Sequence, residues 1–174
     1  MKSKKARASR SGTKRNSIWA PWRIEYILGS KDSGCFLCEM FRAKADRKNH
    51  ILARGRTCAV VMNRYPYSTG HLMIAPYRHV ALLTKMTRAE RNEMMDMTER
   101  CVAVLDRVMR PQGYNVGLNI GHAAGAGLKD HIHMHLVPRW VGDTNFMPVL
   151  ADVKVLPQAL DDLWDALHLH FKKS

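Results

Sequence analysis

Three histidines alternate with apolar residues in Asp130-His131-Ile132-His133-Met134-His135-Leu136-Val137-Pro138-Arg139-Trp140. This alternation leaves the stretch little choice of conformation. A period of two is that of a half-buried strand, whose successive side chains point to opposite faces. His131, His133 and His135 then share one face, each about 6.7 Å from the next, and Ile132, Met134 and Leu136 make the face that packs on a core. One histidine in such a place would be a hydrogen-bonded core residue. Three in a row have no packing rationale, because each imidazole needs its own polar partner once buried. A row of imidazoles suits anion binding, metal ligation or nucleophilic attack.

The chain has 174 residues and 46% hydrophobic content, enough for one domain with a real core. Its formal net charge of +13 is unevenly placed. Lys2, Lys4, Lys5, Arg7, Arg10, Lys14 and Arg15 lie in residues 1–16, which contain no acid, so the rest of the chain carries +6. Residues 1–16 also lack hydrophobic periodicity and are expected to be a disordered basic tail, with residues 17–174 as a single domain. Such a tail is either merely solvated or attracted to nucleic acid, since clustered cations release counterions from phosphates. No run of about eighteen apolar residues is present to span a membrane, and the N-terminus lacks the apolar core of a signal peptide. A cytoplasmic protein is expected.

Cys58 and Cys101 sit inside apolar patterns and read as buried thiols, whereas Cys35-Phe36-Leu37-Cys38 is a spaced pair. Cys-x-x-Cys is a half-site for zinc, and a closed structural site needs two further ligands. Two reduced, unliganded thiols are the alternative. A short helix is expected to follow through Glu39–Arg42. Ile18-Trp19-Ala20-Pro21-Trp22 upstream is dense in aromatics and is expected to anchor the segment against the domain or a second subunit.

Residues 57–62 read as a strand, 63–70 as a loop and 71–76 as a second strand, so an antiparallel hairpin with a loop long enough to hold a ligand is expected. Thr87 and Glu90 form a capping box ahead of a long helix, in which Met94, Met97, Cys101, Leu105 and Val108 recur at three and four residues. Pro111 and Gly113 stop it. Residues 114–120 alternate as a third strand, and 121–128 form a loop of very small residues whose amides can approach phosphate oxygens. A last helix has Pro157 in its first turn and Leu160, Leu163, Trp164, Leu167 and Phe171 along one face, with His168 and His170 expected at the surface.

His131-Ile132-His133-Met134-His135-Leu136-Val137, with a Gly-rich loop just before it, resembles the motif of the histidine triad, or HIT, superfamily. The resemblance extends over roughly Trp19 to Val149, since Asn63, Gly70-His71, Pro76, Asn119 and Pro138-Arg139-Trp140 fall where HIT proteins place comparable segments. Ala124-Gly125-Ala126-Gly127 and Gly142-Asp143-Thr144-Asn145-Phe146 look most like the bacterial-type branch near the dinucleoside polyphosphate hydrolases and phosphorylases. The resemblance implies an α+β fold, an antiparallel sheet of about five strands with packed helices, assembled as a homodimer.

It also implies a chemistry. His131, His133 and His135 become the catalytic set, with His133 attacking the α-phosphorus of an adenosine nucleotide or dinucleoside polyphosphate to form a nucleotidyl-histidine. His135, Gly125 and Gly127 would hold phosphate oxygens, with Asn63 as a ribose contact and Asn119 a ribose or phosphate contact. Zinc-bearing relatives imply His79 and His131 as the ligands completing Cys35 and Cys38, with His50 in reserve; His131 would then be fixed by the metal and do no acid–base work. Gly127 stands where many HIT hydrolases have Gln or Ser, so Lys129 or a backbone amide would have to replace that donor. His135, in place of the Gln of the transferase branch, favours hydrolysis over phosphorolysis. A non-catalytic nucleotide- or zinc-binding module is the alternative.

Overall fold

A computed structural model describes residues 34–125, 127–143 and 158–172. The basic tail, the Trp19–Trp22 segment, Ala126, Thr144–Phe146 and Pro157 lie outside the described residues. The element order is α1 (Phe36–Arg42), β1 (Ile51–Arg54), β2 (Cys58–Met62), β3 (Leu72–Pro76), α2 (Arg88–Met109), β4 (Gly113–Leu118), β5 (Met134–Arg139) and α3 (Leu160–Lys172). All five strands join one antiparallel sheet in the order β1-β2-β3-β5-β4.

The expected hairpin is β2–β3, with Val60 opposite Ile74 and Met62 opposite Leu72. Its loop folds back on itself, because the Asn63 amide donates to the His71 carbonyl (3.0 Å) and the His71 amide to the Ser68 carbonyl (3.1 Å). Gly70 permits this turn at φ +82°, where a Cβ would lie 2.8 Å from Met109 Sδ and 3.1 Å from Pro138 Cγ. The long helix α2 begins at the expected box. Thr87 accepts from the Glu90 amide, and the Glu90 carboxylate accepts from the Thr87 amide.

Alternation within the strands sorts residues between two layers. On one face Val60, Met62, Leu72, Ile74, Ile132, Met134 and Leu136 pack with Met94, Cys101 and Leu105 of α2 and Leu163, Leu167 and Phe171 of α3. Each fully buried leucine here contributes about 2 kcal/mol through removal from water. On the other face α1 lays Leu37, Met40 and Phe41 over Ile51, Ala59, Val61 and Ala75. The histidines share this second face, where Phe41 lies 6.1 Å from the His131 ring centre.

Burial pushes the Cys58 thiol up to about 11 and the Cys101 thiol to about 12, as befits two inert core thiols. His168 is half-buried rather than superficial. Its ring stacks on Trp164 at 4.1 Å and its Nδ1–H donates to the Leu52 carbonyl (3.1 Å), so it helps dock α3 on β1.

Candidate active site and metal centre

The histidine stretch enters the sheet later than its alternation predicts. The ladder with β3 begins only at Met134, opposite Ile74, although β3 itself runs on to Pro76. Ahead of it, the Ile132 amide donates to the Val80 carbonyl (2.7 Å) and the His131 Nε2–H to the Pro76 carbonyl (2.8 Å). The three imidazoles are nevertheless buried, at 0%, 7% and 9% exposure for His131, His133 and His135. Burial lowers the pKa of all three. For His135 the value falls to about 4, with the neighbouring His133 adding to the effect of burial.

At the first end of the stretch, Cys35, Cys38, His79 and His131 converge, with one ligand atom from each all within 4.8 Å of one another. Cys35 Sγ lies 3.1 Å from His131 Nδ1, and Cys38 Sγ lies 3.5 Å from both His131 Nδ1 and His79 Nδ1. A tetrahedral zinc with ordinary bond lengths would set sulfur and nitrogen ligands about 3.6 Å apart. The donor set therefore fits the ion in identity and in spacing. The Pro76 carbonyl fixes the His131 proton on Nε2, so its Nδ1 lone pair faces the thiols, as a metal ligand requires.

His79 is delivered by its neighbour. Arg78 Nε and Nη2 donate to the two Glu90 carboxylate oxygens at 2.9 and 2.7 Å, and Nη2 also to the Lys85 carbonyl (2.8 Å). Arg78 holds the Glu90 carboxyl down at about 2, helped by the Thr87 hydrogen bonds. His50 is not part of the cluster. It sits at φ +52° and its Nε2 pairs with Asp161 at 2.8 Å.

At the other end the imidazoles pair with one another. His133 Nδ1–H donates to the His131 carbonyl (2.8 Å), which leaves the Nε2 lone pair for chemistry. The His133 and His135 rings stand edge to face, 4.8 Å apart. His135 Nδ1 is 2.9 Å from His71 Nε2, and His71 Nδ1 accepts from the Tyr67 amide (3.0 Å). The Tyr67 ring lies 4.6 Å from the His71 ring and 5.6 Å from the His135 ring, nearly parallel to the latter.

Sequence reasoning gave His71 and Tyr67 no role. Gly70-His71 enters there only as a segment of the resemblance, and His71 comes beside His135 once Met73 is known to pair with His135.

The expected nucleotide contacts are placed less uniformly. Asn63 is engaged within its own loop, accepting from the Tyr65 amide at Oδ1 (2.9 Å) and placing Nδ2 3.2 Å from His71 Nδ1. Asn119 follows β4, just past the pairing of Leu118 with Met134, and is half-buried. Gly125, at φ +78°, and Gly127 are exposed, and a Cβ on either would meet nothing within 4 Å. Gly117 stands opposite His135 with the same open space.

A family model described as HIT domain matches residues 44–141. The chain belongs to the HIT family. This HIT protein is 39% identical over 153 residues to a Mycobacterium tuberculosis protein named AP-4-A phosphorylase, covering 83% of its own length and 78% of the relative. It is 25% identical over 105 residues to the Schizosaccharomyces pombe bis(5'-nucleosyl)-tetraphosphatase (asymmetrical), covering 60% of this chain and 57% of that one. Its fold is shared with a Zn-bound histidine triad family protein from Mycobacterium smegmatis, at TM-score 0.65, 20% identity and coverage of 80% and 94%. The α+β architecture expected from the triad is thus the one the HIT chain adopts.

Proposed function

We propose that the protein is an enzyme that transfers a nucleotidyl group out of a diadenosine polyphosphate, or a related adenosine phosphate derivative, through a nucleotidyl-histidine at His133. The observation that carries this reading is the His133 tautomer: with Nδ1–H held by the His131 carbonyl, Nε2 is an uncharged nucleophile beside a second imidazole. Nε2 attacks the α-phosphorus, the P–O bond to the bridging oxygen breaks, and the polyphosphate leaves with the bonding pair. The Nδ1 proton stays on the ring, so the adduct is a cationic imidazole and a good leaving group. An acceptor oxygen then attacks phosphorus, loses its proton to solvent, and the P–N bond breaks to restore His133. His135 would donate from Nε2–H to a phosphate oxygen, with Gly125, Gly127 and Asn119 as further contacts.

Water as acceptor makes the reaction a hydrolysis. Inorganic phosphate makes it a phosphorolysis, a second reading supported by the 39% identity to the protein named AP-4-A phosphorylase. Incubating labelled diadenosine tetraphosphate with and without phosphate separates the two. Hydrolysis yields AMP and ATP in both, whereas phosphorolysis yields ADP and ATP only with phosphate. Absence of label on the His133 peptide under acid-sparing conditions would sink both.

The proposal includes a structural zinc held by Cys35, Cys38, His79 and His131, supported by the convergence of those four ligand atoms. Four protein ligands leave no open position, so the ion would cross-link α1, the loop after β3 and the start of the histidine stretch. His131 would then act only through its carbonyl on His133. A homodimer is also included, because β4 is an edge strand with Val116 49% exposed and Ile120, two residues past its end, 43% exposed. Among the described residues no helix is long and apolar enough to cross a membrane. Four cysteines outside any disulfide, Cys35, Cys38, Cys58 and Cys101, support a cytoplasmic setting. Attraction of the basic tail to nucleic acid is a secondary part of the proposal, supported by its seven uncompensated cations.

A further inference from the structure

Where the β2–β3 loop passes the histidines it carries two large aromatic side chains into the open, Tyr65 at 40% and Tyr67 at 50% exposure. Their exposure is not looseness, because the backbone beneath both rings is pinned. Asn63 Oδ1 accepts from the Tyr65 amide (2.9 Å), the Tyr67 amide donates to His71 Nδ1 (3.0 Å) and the His71 amide to the Ser68 carbonyl (3.1 Å). The Tyr67 ring is backed as well. It lies within 26° of the His135 plane, with centres 5.6 Å apart, and meets the His71 ring at 4.6 Å. Both imidazoles are buried, at 9% and 1% exposure. A ring supported by two buried imidazoles and half open to solvent is a ready stacking surface, since little rotamer freedom remains to be lost when a second flat ring joins it.

Ring contacts run from His133 to His135 at 4.8 Å and from His135 to Tyr67, so the phosphate-holding imidazole comes between the nucleophile and the tyrosine. The nucleoside attached to the attacked phosphorus is joined to it directly. A group that reaches past His135 to Tyr67 has to be carried there by further phosphates, and a dinucleoside polyphosphate has one in its second base. We propose that Tyr67 is a specificity-determining residue, the stacking platform for the nucleobase that leaves with the polyphosphate. The inference rests on the reading of His133 as nucleophile and deepens it by saying how a two-base substrate is told from a one-base one. Stacking uses the face of the ring and every base has such a face, so the platform selects for the presence of a second base and not for its identity. Gly117, across the ladder from His135, leaves room beside that imidazole for the phosphates joining the two ends, since a Cβ there would meet nothing within 4 Å.

Diadenosine tetraphosphate and adenosine 5'-tetraphosphate have the same number of phosphates and differ in the second nucleoside. Equilibrium binding of each to the full-length protein carrying His133→Ala, which prevents turnover, reads what that nucleoside adds. Introducing Tyr67→Leu should weaken the dinucleotide by about tenfold and the mononucleotide by less than about twofold. Tyr67→Phe and Tyr67→Trp keep a flat ring and should hold the dinucleotide within about twofold of the parent. With His133 intact, Tyr67→Leu should raise KM for diadenosine tetraphosphate and leave kcat within about twofold, because a base remote from the reacting phosphorus binds alike in the ground and transition states. The hydrogen bond to His71 comes from the backbone amide and survives each substitution. Equal weakening of both ligands would assign the ring to the retained nucleoside or to the loop and overturn the proposal, as would unchanged dinucleotide affinity in a folded Tyr67→Leu protein. A difference between the two ligands without label on His133 would retire the nucleotidyl-transfer reading and leave the platform standing; label without that difference does the reverse.

Discussion

His131 and His135 are the same residue type, four positions apart on one stretch, and the protein treats them differently because of what stands opposite each. At the His131 end the partners are a carbonyl on Nε2 and two thiols around Nδ1. At the His135 end the partner is another imidazole, itself oriented by a backbone amide. A carbonyl only accepts, so it turns His131 Nδ1 into a ligand atom. The oriented His71 donates, so it turns His135 Nε2 into a donor. Between them His133 leans on the His131 carbonyl and keeps a free lone pair. Under the proposed reading, three equivalent letters in the sequence become ligand, nucleophile and donor through the hydrogen bond on the opposite side of each ring.

The sharpest way to break this contrast is at its middle. His133→Ala should lower kcat on diadenosine tetraphosphate by on the order of a thousandfold or more, while metal content and thermal midpoint stay near those of the parent. Activity within tenfold of the parent would remove His133 as the nucleophile. Next in size is the metal end. Cys38→Ala should purify with little zinc, against about one ion per chain for the parent, and should melt at least about 5 °C lower. Elemental analysis and calorimetry check it, and a variant with full zinc would mean that the four ligand atoms do not act as a set.

A smaller effect is expected one step behind the ligands. Glu90 anchors Arg78, the residue preceding His79, so Glu90→Gln should cost about 2 kcal/mol by denaturant unfolding. The Glu90 pKa is lowered to about 2 from 4.5, so its contribution is complete above about 4.5 and lost as pH falls toward 2. The variant should therefore show a shallower loss of stability over that acid range than the parent. The smallest effect belongs to a pair remote from both ends. Arg47 and Asp165 meet at 2.6 Å but are 60% and 54% exposed, so Arg47→Ala should change stability by less than about 1 kcal/mol and activity not at all.

Much of the scaffold is legible in the residues. The capping box at Thr87 and Glu90, the apolar stripe of α2 and the hairpin β2–β3 follow from local spacing. β1 does not, because Ile51-Leu52-Ala53-Arg54 is too short to show a period and its register slips between Ile51 and Ala53. His168 reads as a surface residue because nothing in its own helix reveals the Leu52 carbonyl above it.

For the site, the alternation of His131, His133 and His135 with Ile132, Met134 and Leu136 was enough to assign the two faces, since the period of a strand is a property of the backbone alone. The sequence also marked Cys35 and Cys38 as a pair. The approach of both thiols to His79 and His131 was decided by tertiary structure, as was the meeting of His71 with His135. These partners lie 41 to 96 residues apart. Which nitrogen of an imidazole is available depends on the group facing the other one, and for His131 and His135 that group comes from β3 or the residue just before it.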